Sequence, residues 1–321
     1  MLAYTVRKFL FSLVVLFFAS ITIFGLVSLG PDPLVELKNN PRIPAEDVRR
    51  ITEIYGLDKS LPERYIIWVG GLLQGDLGYS FKQQSDVTDL IVPRIWPTIL
   101  LMGSSLIFTV MIAIPFGVYS AIKKYSLVDN AGTFLSFVGY SMPSFWLGLI
   151  LQLTLGVYLT GWAGMRIFYT SGMTSPGGGG LVDLLQHLTL PVLTLSAISI
   201  ASYSRFQRSA MLDVLSADYL RTARAKGLSR RSVYLKHALR NALVPVVTVI
   251  ALDMGVLLGG AVITETVFAW PGLGFLLADS LYKGDYNVAQ GLLIISAVLI
   301  VFFNYVADIA YSVLDPRISY G

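Results

Sequence analysis

The chain has 321 residues, of which 55% are hydrophobic and only 14% charged, with a mean hydropathy of +0.67. Soluble domains carry about 25% charged residues, so this composition excludes an ordinary soluble fold and makes the bilayer the natural solvent. The net charge is only +4. Cysteine is absent and there are two histidines, His187 and His237, so disulfides and thiolate metal sites are excluded and no metal-binding cluster is expected.

Residues 9–29 form the first apolar run, preceded by Arg7 and Lys8. It is too long for a signal-peptide core and lacks a small-x-small cleavage site, so residues 1–30 are read as a retained transmembrane helix. Residues 31–94 follow as a segment of short helices. Pro44-Ala45-Glu46-Asp47 is a helix opening with acids in its first turn; Val48, Ile51, Ile54 and Tyr55 follow at helical spacing, and Gly56 closes it. A second amphipathic stretch occupies residues 62–73, and Gly75-Asp76-Leu77-Gly78 reads as a turn.

Residues 95–321 read as a core of five further spans: 96–122 with Pro115 inside, 134–159 with Pro143 near its start, 187–211 opening with Pro191, 242–263, and 288–314. The expected fold is an all-α polytopic membrane protein with six transmembrane helices. Nine basic residues lie between Arg205 and Arg240 against Asp213 and Asp218, and Lys123-Lys124 follow the second span. The positive-inside rule therefore puts residues 205–240 and both termini in the cytoplasm, and residues 31–94 on the extracytoplasmic side.

Within residues 205–240, Ser216 is expected to cap a helix over residues 217–226 with Gly227 after its end, and Ser229 to cap a second helix from Arg230 towards Asn241. Leu235, Ala238, Leu239 and Ala242 fall on one face of the second. The first is rich in small residues, Ala217, Thr222, Ala223 and Ala225, alongside Arg221, Arg224 and Lys226. Cations alone would serve as a topology signal or hold anionic lipid. A capped helix, a glycine turn and a second helix exceed what topology needs, and Ala and Thr are not the bulky residues of a lipid-binding helix. Small residues let another backbone approach, so the segment reads as a docking surface for a separate protein.

The stretch Asp218-Tyr219-Leu220-Arg221-Thr222-Ala223-Arg224-Ala225-Lys226-Gly227-Leu228, followed by His237-Ala238-Leu239-Arg240-Asn241-Ala242-Leu243-Val244-Pro245, resembles the EAA-type coupling motif of permease subunits in binding-protein-dependent ABC importers. The likeness is to the "B"-type permease of the oligopeptide/dipeptide/nickel group. Gly30-Pro31-Asp32-Pro33, Tyr55-Gly56-Leu57-Asp58, Gly75–Gly78, Thr264-Glu265-Thr266-Val267-Phe268, Trp270-Pro271-Gly272-Leu273-Gly274 and Asp315-Pro316-Arg317 resemble that group in order. The Glu-Ala-Ala of the motif's name is replaced by Thr222-Ala223-Arg224-Ala225, leaving Asp218 as the acidic residue.

The resemblance implies a type I importer permease in a bacterial or archaeal cytoplasmic (inner) membrane. It implies a homologous second permease, two ATPase subunits or a fused ATPase, and an extracytoplasmic substrate-binding protein as partners. ATP and Mg would be bound by the ATPases, this chain having no G-x-x-x-x-G-K-[ST] loop and no catalytic or metal site. Di- or oligopeptides are the expected cargo, with nickel or another small solute as the alternative. Residues 218–228 would contact the ATPase, with Asp218, Tyr219, Arg221, Thr222, Ala223, Arg224, Ala225, Lys226, Gly227 and Leu228 as the coupling set.

Of the ionisable residues within spans, Asp253 lies deepest and is expected either to line the pathway or to fix the contact between permeases. Glu265, Trp270, Pro271 and Gly272 are expected at the outer mouth, as a gate or a contact for the binding protein. Gln152 reads as packing glue, His187 as a structural cap at the start of the fourth span, and Asn304 and Asp308 lie one turn apart in the sixth. A secondary transporter would show inverted repeats and paired intramembrane charges. A membrane-embedded enzyme would show a catalytic set within the spans. The sequence displays neither.

Overall fold

The computed structural model describes residues 2–30, 34–39, 42–54 and 56–314. The Pro31-Asp32-Pro33 stretch, residue Tyr55, the side chain of Asp308 and the terminal Asp315-Pro316-Arg317 lie outside what is described. Among the described residues, six helices are long and apolar enough to cross a membrane.

The chain opens with α1 (Leu2–Ser28), which packs mainly on the last helix, α14 (Tyr286–Leu314). The short α2 (Val35–Lys38), α3 (Ala45–Ile54) and α4 (Leu61–Leu73) follow. Gly56 has φ +62, the left-handed turn that ends α3. Pro62 lies in the first turn of α4, where its missing N–H costs nothing, and Ser60 and Glu63 form a capping box. Gly75 and Gly78 both take positive φ and lead into a two-stranded antiparallel hairpin, β1 (Tyr79–Ser80) with β2 (Ser85–Asp86).

The bundle proper is organised around α5 (Val87–Ile122) and α9 (Leu181–Leu215), the most extensively packed pair. Both begin well before the apolar runs that mark them. Pro191 is therefore an interior residue of α9, not its opening, and Pro93, Pro97 and Pro115 all lie inside α5. Interior prolines are tolerated in spanning helices because neighbouring groups re-satisfy the freed backbone. α9 also touches α6 (Leu127–Ser141), α7 (Ser144–Leu151) and α12 (Leu239–Val267), and α12 touches α14.

The closeness of α5 and α9 depends on Gly117. A Cβ there would sit 2.7 Å from both the Ser204 carbonyl oxygen and Gln207 Cβ. Backbone cannot yield as a side-chain tip does, so Gly117→Val is expected to wedge the pair apart at a cost of about 1–3 kcal/mol. Lower yield of folded protein and a lower melting temperature in detergent would register this; wild-type stability would refute it.

The third expected span, 134–159, is corrected. Met142 is extended (φ −82, ψ 128), the conformation favoured before a proline. Pro143 thus divides the region into α6 and a separate span, Ser144–Ala163, which runs through α7, a π-helical segment Gln152–Tyr158 and α8 (Leu159–Ala163). Gln152 does act as glue: its Nε2 donates to the carbonyls of Thr170 (2.7 Å) and Val267 (3.0 Å).

The expected basic loop 205–240 is also largely helical. Arg205 and Arg208 belong to α9, and only residues 216–217 separate it from α10 (Asp218–Ala225). After a turn, α11 (Arg230–Ser232) and a π-helical segment Val233–Ala238 run without interruption into α12. α13 (Leu273–Lys283) lies at the other end of the bundle against α12, α14 and α5, between the last two spans.

Candidate coupling surface and buried polar nodes

α10 has too few residues to be stable alone; its seat holds it. Leu220 and Ala223, three positions apart on one face, are buried in a cluster with Val118 and Ala121 of α5, Met211 of α9, Val233, Ala238, and Ala242 of α12. A fully buried leucine contributes about 1.5–3 kcal/mol. The helix therefore stands where three spans end. Asp218, Tyr219, Arg221, Thr222, Arg224, Ala225, Lys226, Gly227 and Leu228 are all exposed, and the Arg221–Asp218 pair at 3.6 Å lies wholly at the surface.

The end of α10 is a complete left-handed cap. Gly227 (φ +78) donates its N–H to the Arg224 carbonyl, and Leu228 donates to that of Ala223. Ser229 then caps α11, its hydroxyl accepting from the Ser232 N–H (3.3 Å). The start of α10 departs from expectation: Ala217 takes the N-cap position without a side-chain bond, while the Ser216 hydroxyl donates back to the Asp213 carbonyl. The expected face of the second helix is corrected as well. The π-helical turn shifts its phase, so Val233 joins Ala238 and Ala242 in the core and Leu235 faces out. Asn241 on α12 ties the two arms by donating to the Tyr219 hydroxyl (2.8 Å); His237, on the same arm, is exposed.

At the opposite end, Glu265 is fully buried. Its carboxylate accepts from the Thr98 hydroxyl (2.7 Å) and the Phe275 N–H (3.0 Å). Thr98 in turn accepts from the Leu273 N–H, and Trp270, also fully buried, donates from Nε1 to the Pro97 carbonyl. A Cβ on Gly272 would fall on the Glu265 carboxylate. These contacts join α5, α12 and α13 into one node. Glu265 and Trp270 accordingly offer no surface to an external protein in this conformation. His187 is likewise interior to α9 and not a helix cap, stacked on Tyr169 at 3.9 Å with Nδ1 against the Asp183 carbonyl.

Asp253 lies midway along α12, half-buried, close enough to act electrostatically on the Tyr203 hydroxyl of α9. That hydroxyl is buried, and no well-formed hydrogen bond reaches it among the described residues. Asn304 is exposed on α14.

One node has no counterpart among the sequence expectations. Asp129 of α6, its side chain 2% exposed, accepts two bonds from Arg208 of α9 (Nε 2.7 Å, Nη2 2.8 Å) and a third from the Tyr125 N–H. The Arg208 guanidinium and these bonds hold the Asp129 carboxyl below its ordinary range. The only sequence signal was local: Ser126 three residues before Asp129 is an N-cap pattern, which the structure forms.

A six-span helical bundle carrying a short, exposed, tightly capped helix at the junction of three spans is the architecture of a multi-pass membrane protein. The chain matches the family described as "Binding-protein-dependent transport system inner membrane component" over residues 113–320, and the corresponding N-terminal family over residues 1–103. It belongs to this family and is a multi-pass inner-membrane component of such a transport system. It is 42% identical over 322 residues, covering both chains fully, to the oligopeptide transport system permease protein AppB of Bacillus subtilis. It is 38% identical over 339 residues to the dipeptide transport system permease protein DppB of Escherichia coli K12, covering 100% of this chain and 99% of that one. It is 36% identical over 320 residues to a glutathione transport system permease protein, GsiC, of Escherichia coli O6:H1, covering both chains fully. The resemblance to a B-type peptide permease is borne out by these relatives.

Proposed function

We propose that this chain is the B-type permease subunit of an ATP-driven importer of di- or oligopeptides, and that α10 is the helix through which partner ATPases drive it. The observation that carries the reading is the seat of α10: two buried residues fix it to the ends of α5, α9 and α12, while its remaining surface stays open. A push on α10 is thereby delivered to three spans, and Arg230 to Val267 forms a continuous helical rod that carries it through the bundle. ATP, bound with Mg by the partners, supplies the free energy; this chain supplies a two-state element that their closure biases.

The excess of Lys and Arg at the α10 end assigns that end and both termini to the cytoplasm. Residues 31–94 then lie on the extracytoplasmic side as a segment distinct from the 95–321 core. α13 and the Glu265 node lie there too, where the node acts as an outer gate hinge, and a binding protein delivers cargo. A homologous second permease completes the pathway, and Asp253 faces it midway through the membrane.

The test is co-purification followed by reconstitution. An affinity-tagged chain should bring down an ATPase and a second permease, and vesicles holding the assembly should take up peptide only with ATP on the α10 side. Uptake by this chain alone, driven by an ion gradient, would overturn the reading.

A further inference from the structure

Beside the Asp129–Arg208 node, α6 and α9 enclose an open groove with a cavity of about 590 Å³. Its apolar wall is Phe134, Phe137 and Leu212, and its polar wall includes Arg205, Arg208 and Ser209. The two arginines differ. Arg208 commits its Nε and Nη2 to Asp129, the only acid among the described residues lining the groove. Arg205 has no carboxylate partner among the described residues. Its Nε donates to the Ala201 carbonyl, and its guanidinium lies over the rings of Phe137 and Tyr140, each at 5.1 Å. Stacking fixes the cation in position without neutralising it. Lys124, over the Tyr125 ring at the rim, adds a second positive charge.

Depth selects the ligand. α9 has 35 residues, so at about 1.5 Å per residue it is roughly 20 Å longer than the ~30 Å hydrocarbon layer. Its last turns therefore stand among headgroups. Arg205, about 15 Å from the end of α9, falls close to the boundary between hydrocarbon and headgroups. A phospholipid phosphate lies at that boundary with its chains below, and basic pockets between spanning helices are known anchors for such headgroups. A protein partner would have to bring a carboxylate to the same spot.

We propose that the groove between α6 and α9 binds an anionic phospholipid, its phosphate on the Arg205 guanidinium and an acyl chain along Phe134 and Phe137. The lipid would bridge α6 to α9 next to the Met142–Pro143 break, completing the clamp that Asp129 and Arg208 begin. This rests on the six-span fold and is independent of the role assigned to α10.

The assembled importer, purified from anionic membranes, is examined for tightly retained lipid by mass spectrometry, then offered mixed phosphatidylglycerol/phosphatidylcholine nanodiscs. Wild type should retain phosphatidylglycerol over phosphatidylcholine. Arg205→Gln should lower that retention several-fold. Ser209→Trp, which fills the groove and keeps the charge, should do the same. Arg49→Gln, an equal charge loss on α3, should not. Undiminished phosphatidylglycerol retention by both groove variants would overturn the proposal. So would displacement of the lipid by inorganic phosphate, which would mark a free-anion site. Loss of the second permease from Arg205→Gln with lipid retention intact would instead mark the groove as a protein interface.

Discussion

Asp129→Ala is expected to destabilise the protein by about 3 kcal/mol, because it strands a partly buried guanidinium. Removing one member of a buried ion pair costs about 3–5 kcal/mol; Arg208 retains 26% exposure, which places the effect at the lower end. The Tyr125 N–H loses its acceptor as well. The double variant Asp129→Leu/Arg208→Met should recover much of the loss, since an apolar pair of similar volume is often neutral against a buried ion pair. Melting curves of the purified protein in detergent measure both. If the double variant were no better than Asp129→Ala alone, the ion pair would not be the cause.

The same pair sets a pH dependence whose sign follows from its cause. Arg208 and the bonds from the loop depress the Asp129 carboxyl. The stabilisation is therefore complete above the unfolded carboxylate value of about 3.9 and is lost only as pH falls through the lower folded value. The stability gap between wild type and Asp129→Ala should be flat through neutral pH and close in strong acid. A gap that closed between pH 6 and 8 would implicate another group.

What the sequence made legible was local. Apolar run length gave six spans, acids and Pro62 marked α3 and α4, and the Gly227 turn between two short helices was readable from residue type alone. Helix ends were the first casualty. α5 begins at Val87, nine residues before the apolar run, because Asp89, Pro93 and Arg94 dilute the hydropathy of a stretch that is nonetheless helical. Arg205 and Arg208 fall both in the expected fourth span, 187–211, and in the basic stretch 205–240; α9 runs on to Leu215 and makes them groove and ion-pair residues of a span. Long-range pairing was the second. Asp129 finds Arg208 across 79 positions, and Glu265 finds Thr98 across 167; no periodicity records either. A π-helical turn was the third, since one added residue per turn rotates every later side chain, which is why Leu235 was assigned to the wrong face.

Gly227→Val is expected to separate ATP hydrolysis from transport while leaving the protein inserted and assembled. A Cβ at Gly227 would meet nothing within 4 Å, so the cost is not steric crowding against neighbours. It is the backbone: φ is +78, and a β-branched residue held there is strained by about 1–3 kcal/mol. Burial of Leu220, the principal anchor of α10, contributes about the same. Strain and seat are thus balanced, and the variant relieves the strain by giving up the cap bonds to Arg224 and Ala223 or by letting α10 lift from its seat. On the coupling role proposed for α10, either outcome leaves a contact that no longer moves α5, α9 and α12 together. If about 1.4 kcal/mol of that strain goes into releasing the lever, the competent population falls about tenfold. Asparagine tolerates the left-handed region, so Gly227→Asn should retain most uptake and serves as the control for an altered surface. Peptide uptake and ATP hydrolysis measured in parallel in vesicles separate the cases. Full uptake by Gly227→Val, or failure of Gly227→Asn to the same degree, would show that the corner's backbone conformation is not what transmits the stroke.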